Sequence, residues 1–259
     1  MFMFSRRKAD PPSGAQGYRA YVVGDVHGRL DLLDALLERI HSDLEARPAS
    51  DAVLVFVGDL VDRGPSSAQV IDRLKNYRRE GVRTVFLLGN HEEVLLRIIE
   101  GDGELIRSWL KFGGAQCFAS YGGNPKLLTG LPDEEAVEAV RRAVPPEHVE
   151  FIRGFDDTFR FGDYLVVHAG IRPGIALEEQ RQSDLRWIRE PFLRDESDHG
   201  FVVVHGHTIS REVQDQGNRI GIDTGAFSTG VLTALVIEGT EKWFLQADII
   251  EALAVPATH

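Results

Sequence analysis

The sequence predicts an α/β fold with a parallel first sheet, and three observations carry this. An apolar strand, a polar glycine-rich loop and an amphipathic helix recur three times before Glu100. Each of those loops carries Asp, Asn or His at the carboxyl end of its strand, where open α/β sheets place their ligands. The second half changes to short strands and tight turns, which predicts a second, mixed or antiparallel sheet.

The elements follow in order. Ala20 to Val23 is a short strand ending in Gly24-Asp25-Val26-His27-Gly28. Leu30, Leu33, Leu36, Leu37 and Ile40 then recur at helical spacing, with Asp31 and Asp34 in the early turns. Residues 46–51 link to Val53-Leu54-Val55-Phe56-Val57, a buried strand that runs into Gly58-Asp59-Leu60-Val61-Asp62-Arg63-Gly64. A buried Asp there needs a partner. A helix over 66–80 buries Val70, Ile71 and Leu74 and stops at Gly81. A third buried strand over 82–88 delivers Gly89-Asn90-His91-Glu92 to the next helix. Right-handed connections bring these three loops side by side.

Residues 100–161 lack that pattern. Helices are expected over 105–110, 134–144 and 147–152, broken by Gly113-Gly114 and Pro145-Pro146. The stretch reads as a helical, cap-like insertion. Trp109 and Tyr121 read as its core rather than as contacts to substrate. A hairpin with Gly162-Asp163 at its turn ends on His168, and Phe201 to Val204 ends on His205 and His207. Strands over 219–223, 231–238 and 242–247 close the second half. Residues 1–17 and 252–259 read as a disordered lead-in and a frayed tail around a domain over 18–251.

Composition excludes several classes. The 259 residues are 43% hydrophobic, enough for a sizeable core. A net charge of −11 disfavours binding to a nucleic-acid backbone. The one cysteine, Cys117, reads as an ordinary buried thiol and rules out an intrachain disulfide and a cysteine-based zinc cluster. No run approaches about 18 apolar residues, so no membrane insertion is expected. The basic residues after Phe2 and Phe4 stand on the wrong side for a signal peptide, which leaves a cytoplasmic protein as the expectation.

Nine histidines are present, and His27, His91, His168, His205 and His207 sit at glycine-flanked strand ends. Interleaved with Asp25, Asp59 and Asn90, they point to metal. His41, His148, His199 and His259 read as ordinary histidines. Gly24-Asp25-Val26-His27-Gly28, Gly58-Asp59-Leu60-Val61-Asp62-Arg63-Gly64, Gly89-Asn90-His91-Glu92, His168-Ala169-Gly170 and His205-Gly206-His207-Thr208 together resemble, in order and spacing, the signature blocks of the phosphoprotein phosphatases. These are calcineurin-like metallophosphoesterases, and the resemblance, spanning about Tyr21 to Gln246, is to the short bacterial and phage-type serine/threonine phosphatases.

The resemblance implies two mixed sheets flanked by helices and two divalent metal ions. Manganese is the expected metal, with zinc, iron, nickel and magnesium as alternatives. Asp25, His27 and Asp59 would hold one ion; Asp59, Asn90, His168 and His207 would hold the other. Water activated by both ions would attack phosphorus directly. Arg63 and Arg189 would clamp the phosphoryl oxygens, and His91, paired with Asp62, would protonate the leaving oxygen. His205 is the rival of His207, and Arg186 and Arg172 are the rivals of Arg189. Asp223 reads equally as a partner for a ligand histidine or as a turn cap. The expected substrate is a phosphoprotein or a small phosphorylated molecule, with phosphoserine or phosphothreonine first. The alternative activity is hydrolysis of a dinucleoside polyphosphate such as diadenosine tetraphosphate. Outside enzymes, the alternative is an inactive binding protein on the same fold.

Overall fold

A computed structural model describes residues 10–48 and 51–253. The strands are β1 Tyr18–Val23, β2 Asp51–Phe56, β3 Val82–Phe86, β4 Thr158–Phe161, β5 Tyr164–Val167, β6 Val202–His205, β7 Gln214–Asp215, β8 Arg219–Gly221, β9 Val231–Glu238 and β10 Glu241–Asp248. The helices of the first half are α1 Leu30–Ala46, α2 Ser67–Lys75 and α3 Asn90–Glu100. Between β3 and β4 come α4 Ile106–Trp109, α5 Ala115–Ser120, α6 Pro125–Leu128, α7 Asp133–Ala143 and α8 Pro146–Arg153. A wide helical turn, Leu110–Gly114, joins α4 to α5. Later come α9 Gln182–Trp187, α10 Ala226–Thr229 and α11 Ile249–Ala252.

Two five-stranded mixed sheets pack face to face, in the orders β10-β9-β1-β2-β3 and β4-β5-β6-β8-β7. β1, β2 and β3 are parallel, as the repeated units predict. The period-two alternation of strands sorts their side chains between layers. Ala20 and Val22 of β1 meet Tyr164, Val166, Val204 and Ile220 between the sheets. Tyr21 and Val23 face the opposite way and pack with Leu33, Leu36 and Leu37 of α1. The outer face of the second sheet buries Leu165, Val167 and Val203 against Leu185, Ile188 and Phe192. The layers are therefore helix, sheet, sheet, helix.

The structure corrects three expectations. The last hairpin, β9 and β10, joins the first sheet rather than the second, because β9 pairs antiparallel with β1 on the side that β2 leaves open. A strand buried from Arg19 to Val23, as β1 is, needs both neighbours to satisfy its backbone. β3 is an edge strand, half-exposed rather than fully buried, and ends at Phe86. The lead-in is pinned where it is described. Ser13 N–H donates to Asp163 Oδ2 at 2.8 Å, Asp163 N–H returns a bond to Ser13 O, and Gly14 N–H reaches Gly239 O at 2.8 Å. Gly14 lies so close to the Phe161 ring that a Cβ there would collide with it. The expectations for residues 1–9, including Phe2 and Phe4, and for residues 254–259 fall outside the described residues. Among the described residues no helix is long and apolar enough to cross a membrane.

Candidate active site

The loops that follow β1, β2, β3, β5 and β6 meet at one edge of the paired sheets, and backbone hydrogen bonds lace them together. His27 N–H donates to Asp59 O at 2.8 Å, Gly64 N–H to His27 O at 2.9 Å, and Gly206 N–H to His168 O at 2.8 Å. The carboxylate of Glu92 accepts the N–H groups of Asp59, Leu60, Val61 and Gly89. It fixes the Asp59 loop from below while capping α3. Burial, and then the Asp59 charge, push its carboxyl up to about 7. Among the described residues, the non-glycine residues with positive φ are His27, Asp59, Asp62, Arg63 and His207. Each such conformation costs about 1–3 kcal/mol, and the strain is concentrated in the site loops.

Asp59 lies at the centre. His27 Nε2 stands 3.5 Å from its Oδ2, His91 Nε2 3.9 Å from the same oxygen, and His168 Nε2 3.4 Å from Oδ1. Asn90 Oδ1 is 3.1 Å from His168 Nε2 and 2.9 Å from His207 Nδ1. The tautomers of His27 and His168 follow from their other nitrogens. His27 Nδ1 donates to Val61 O at 2.8 Å, and His168 Nδ1 to Val57 O at 2.9 Å. Each Nε2 then aims a lone pair at an acceptor oxygen. Such an arrangement of buried lone pairs is repulsive until a cation lies between them. His27 Nε2, His207 Nε2 and Asp25 Oδ1 are buried without a hydrogen-bond partner. The donor set thus fits a divalent metal centre, with His27, Asp59 and His91 in one grouping and Asp59, His168 and His207 in the other.

Electrostatics agree. Burial drives His27 and His207 down to about 3, so both imidazoles stay neutral and free to donate lone pairs. Burial works against the Asp59 anion, but His168, His91 and His27 outweigh it and hold the carboxyl well below its usual range. Burial, then the Asp223 and Asp59 charges, raise Asp25. Asp25 reaches the centre differently from the histidines. Its Oδ2 accepts His207 N–H at 3.0 Å, and Oδ1 lies so near Gly206 that no Cβ fits there. Asp223 caps its turn by accepting Gly225 N–H at 2.9 Å, and its charge falls on Asp25. His205 turns away; its ring packs on Phe192 and Nδ1 meets Gly206 O at 3.0 Å.

Beside the centre opens a pocket of about 420 Å³ lined by Arg63, His91, Trp109, Phe112, Trp187 and Arg189, among others. His91 Nδ1 stands 2.6 Å from Asp62 Oδ2. Burial alone would lower the imidazole pKa, but the charges of Asp59 and Asp62 raise it above its ordinary value. Arg63 lies over the Phe227 ring at 4.6 Å and reaches His91 Nε2 at 3.1 Å. Arg172 is tied to Asp184, and Arg186 to Asp157 and Glu93. Arg189 makes no ion pair among the described residues and is the arginine of the three that lines the pocket. Residue types alone give no sign of one contact. The Trp109 indole N–H donates to both oxygens of Asp62, at 3.0 and 3.2 Å.

A shared carboxylate among neutral imidazoles, with two arginines and an imidazole–carboxylate pair beside it, is the equipment of a metal-dependent phosphoesterase. Residues 18–226 match the calcineurin-like phosphoesterase family, and the chain belongs to that family. It is 30% identical to serine/threonine-protein phosphatase 2 of Escherichia coli, over 85% of this chain and 93% of that one. It is 26% identical to the asymmetrical bis(5'-nucleosyl)-tetraphosphatase of Anoxybacillus flavithermus, over 83% and 88%. A crystal structure assigned provisionally as a diadenosine tetraphosphatase shares the fold at TM-score 0.63 and 21% identity, covering 91% of this chain and 98% of that one.

Proposed function

We propose that this metal-dependent phosphatase removes phosphoryl groups from phosphoserine and phosphothreonine. Asp25, His27 and Asp59 hold one divalent ion, and Asp59, Asn90, His168 and His207 hold the other. The ions, best supplied as manganese given an oxygen and nitrogen donor set without thiolate, provide Lewis acidity and an activated water. Arg63 and Arg189 take the phosphoryl oxygens in planar, bidentate fashion. His91 gives its Nε2 proton to the departing oxygen while Asp62 holds Nδ1 and stabilises the cation.

The observation that carries the substrate reading is the buried Asp62–His91 pair. A serine or threonine alkoxide leaves almost as poorly as hydroxide, whose conjugate acid has a pKa of about 15.7, and needs a proton. A polyphosphate leaving group, with a pKa of about 6, gains little from one. Dinucleoside polyphosphate hydrolysis remains the second reading. It is favoured by the rings of Phe112 and Trp187, 62% and 42% exposed, which offer stacking faces at the pocket mouth. The deciding experiment compares kcat/KM on a phosphoserine/phosphothreonine peptide and on diadenosine tetraphosphate, both with manganese. A higher value on the peptide is expected. A dinucleotide preference above about 100-fold, roughly 2.7 kcal/mol, overturns the substrate reading.

A further inference from the structure

Asp62 is fully buried, and all its polar groups are engaged. Its N–H donates to Ser67 Oγ at 2.9 Å, one oxygen faces His91 Nδ1, and the Trp109 indole N–H spans both oxygens. Trp109 is itself 2% exposed, with its ring against Gly114, where a Cβ would run into the indole. Four residues along, the Gly113 carbonyl accepts Arg63 N–H at 3.1 Å. Gly113 has φ of 118°, and a Cβ there would stand 2.5 Å from Arg63 N. Asp62 and Arg63 are both left-handed, so the chain around them does not hold this shape unaided. The 109–114 segment grips one by its side chain and the other by its backbone.

The geometry points to Trp109 as a positioning residue for the reaction: it aims the Asp62 carboxylate that in turn aims His91. The bond to His91 reaches one oxygen only, whereas the indole donor spans both and so fixes the plane of the carboxylate about χ2. The helical region over 100–161 therefore sets the efficiency of leaving-group protonation, where the sequence suggested only a cap-like insertion with Trp109 in its core. This rests on the reading of His91 as the group that protonates the leaving oxygen.

The test replaces Trp109 by 3-benzothienylalanine, a bicyclic isostere with sulfur in place of the N–H, and separately makes Trp109→Phe. With manganese-loaded isostere enzyme, kcat on a phosphoserine peptide is expected to fall about 10- to 100-fold, a fraction of the general-acid factor. KM and bound manganese stay at the parent values. On p-nitrophenyl phosphate, whose leaving group hardly needs a proton, the loss stays below about 3-fold. In an Asp62→Ala background the isostere costs less than about 2-fold more, because the acceptor is already gone. Trp109→Phe reproduces the leaving-group dependence. Parent kcat on the peptide, equal losses on both substrates, or a loss that adds in full to that of Asp62→Ala overturns the inference. His91→Ala, measured alongside, separates the two readings. If it is sensitive to the leaving group while the isostere is not, the Trp109 inference alone fails. If His91→Ala is itself insensitive, both fail.

Discussion

Asp62→Asn keeps the shape of the side chain and removes its charge. The perturbed contact is short, 2.6 Å from His91 Nδ1 to Asp62 Oδ2, and both groups are buried. A hydrogen bond to a charged group contributes about 1.5–3 kcal/mol, and one pKa unit corresponds to about 1.36 kcal/mol. The Asp62 anion therefore helps hold the His91 imidazole above its ordinary value, and an amide in its place gives up that support. His91 acts in its protonated form, so activity on a poor leaving group falls as pH rises through that pKa. Burial lowers the His91 value, and the Asp59 and Asp62 charges raise it overall, which sets the alkaline limb high. Removing the Asp62 charge takes away one of the two influences that raise His91, so the limb moves down. The assay is kcat against pH on a phosphoserine peptide and on p-nitrophenyl phosphate, with bound manganese measured at each pH. The limb on the peptide is expected to shift while the p-nitrophenyl phosphate profile barely moves. An alkaline limb that stays in place or moves upward, at unchanged metal content, refutes the reasoning.

Three further outcomes are expected. His91→Ala loses about 10²–10⁴-fold in kcat on alkyl phosphomonoesters, with bound metal retained, and far less on p-nitrophenyl phosphate; equal losses on the two count against a proton-donating role. Asp59→Asn lowers manganese content at both positions, because both ligand groupings include the Asp59 carboxylate, and metal analysis showing parent stoichiometry contradicts the shared placement. Arg189→Lys raises KM and lowers kcat/KM by a factor of at least about 10, since an ammonium lacks the planar fork. Arg186→Lys, whose parent is held by Asp157 and Glu93 and does not line the pocket, changes kcat/KM far less, and the reverse ranking of the two variants reverses the assignment.

The sequence by itself determined the parallel start of the first sheet and which loops carry the chemistry. Both are local properties. Alternation and apolar runs state where strands end, and glycines beside Asp25, His27 and Asp59 state that the backbone turns there. The unusual left-handed conformations at His27, Asp59 and Asp62 were not legible, because those residue types adopt them only where the surrounding loops impose them. Arg172, Arg186 and Arg189 are chemically identical, and only the carboxylates that fold around two of them distinguish the third. The place of β9 beside β1, the pinning of Ser13 on the β4–β5 turn, and the reach of Trp109 to Asp62, 47 residues away in sequence, are long-range pairings. Periodicity states which face of an element is apolar but not which distant element covers it. That choice is made by the packing of the whole core and by the requirement that every buried donor and acceptor find a partner.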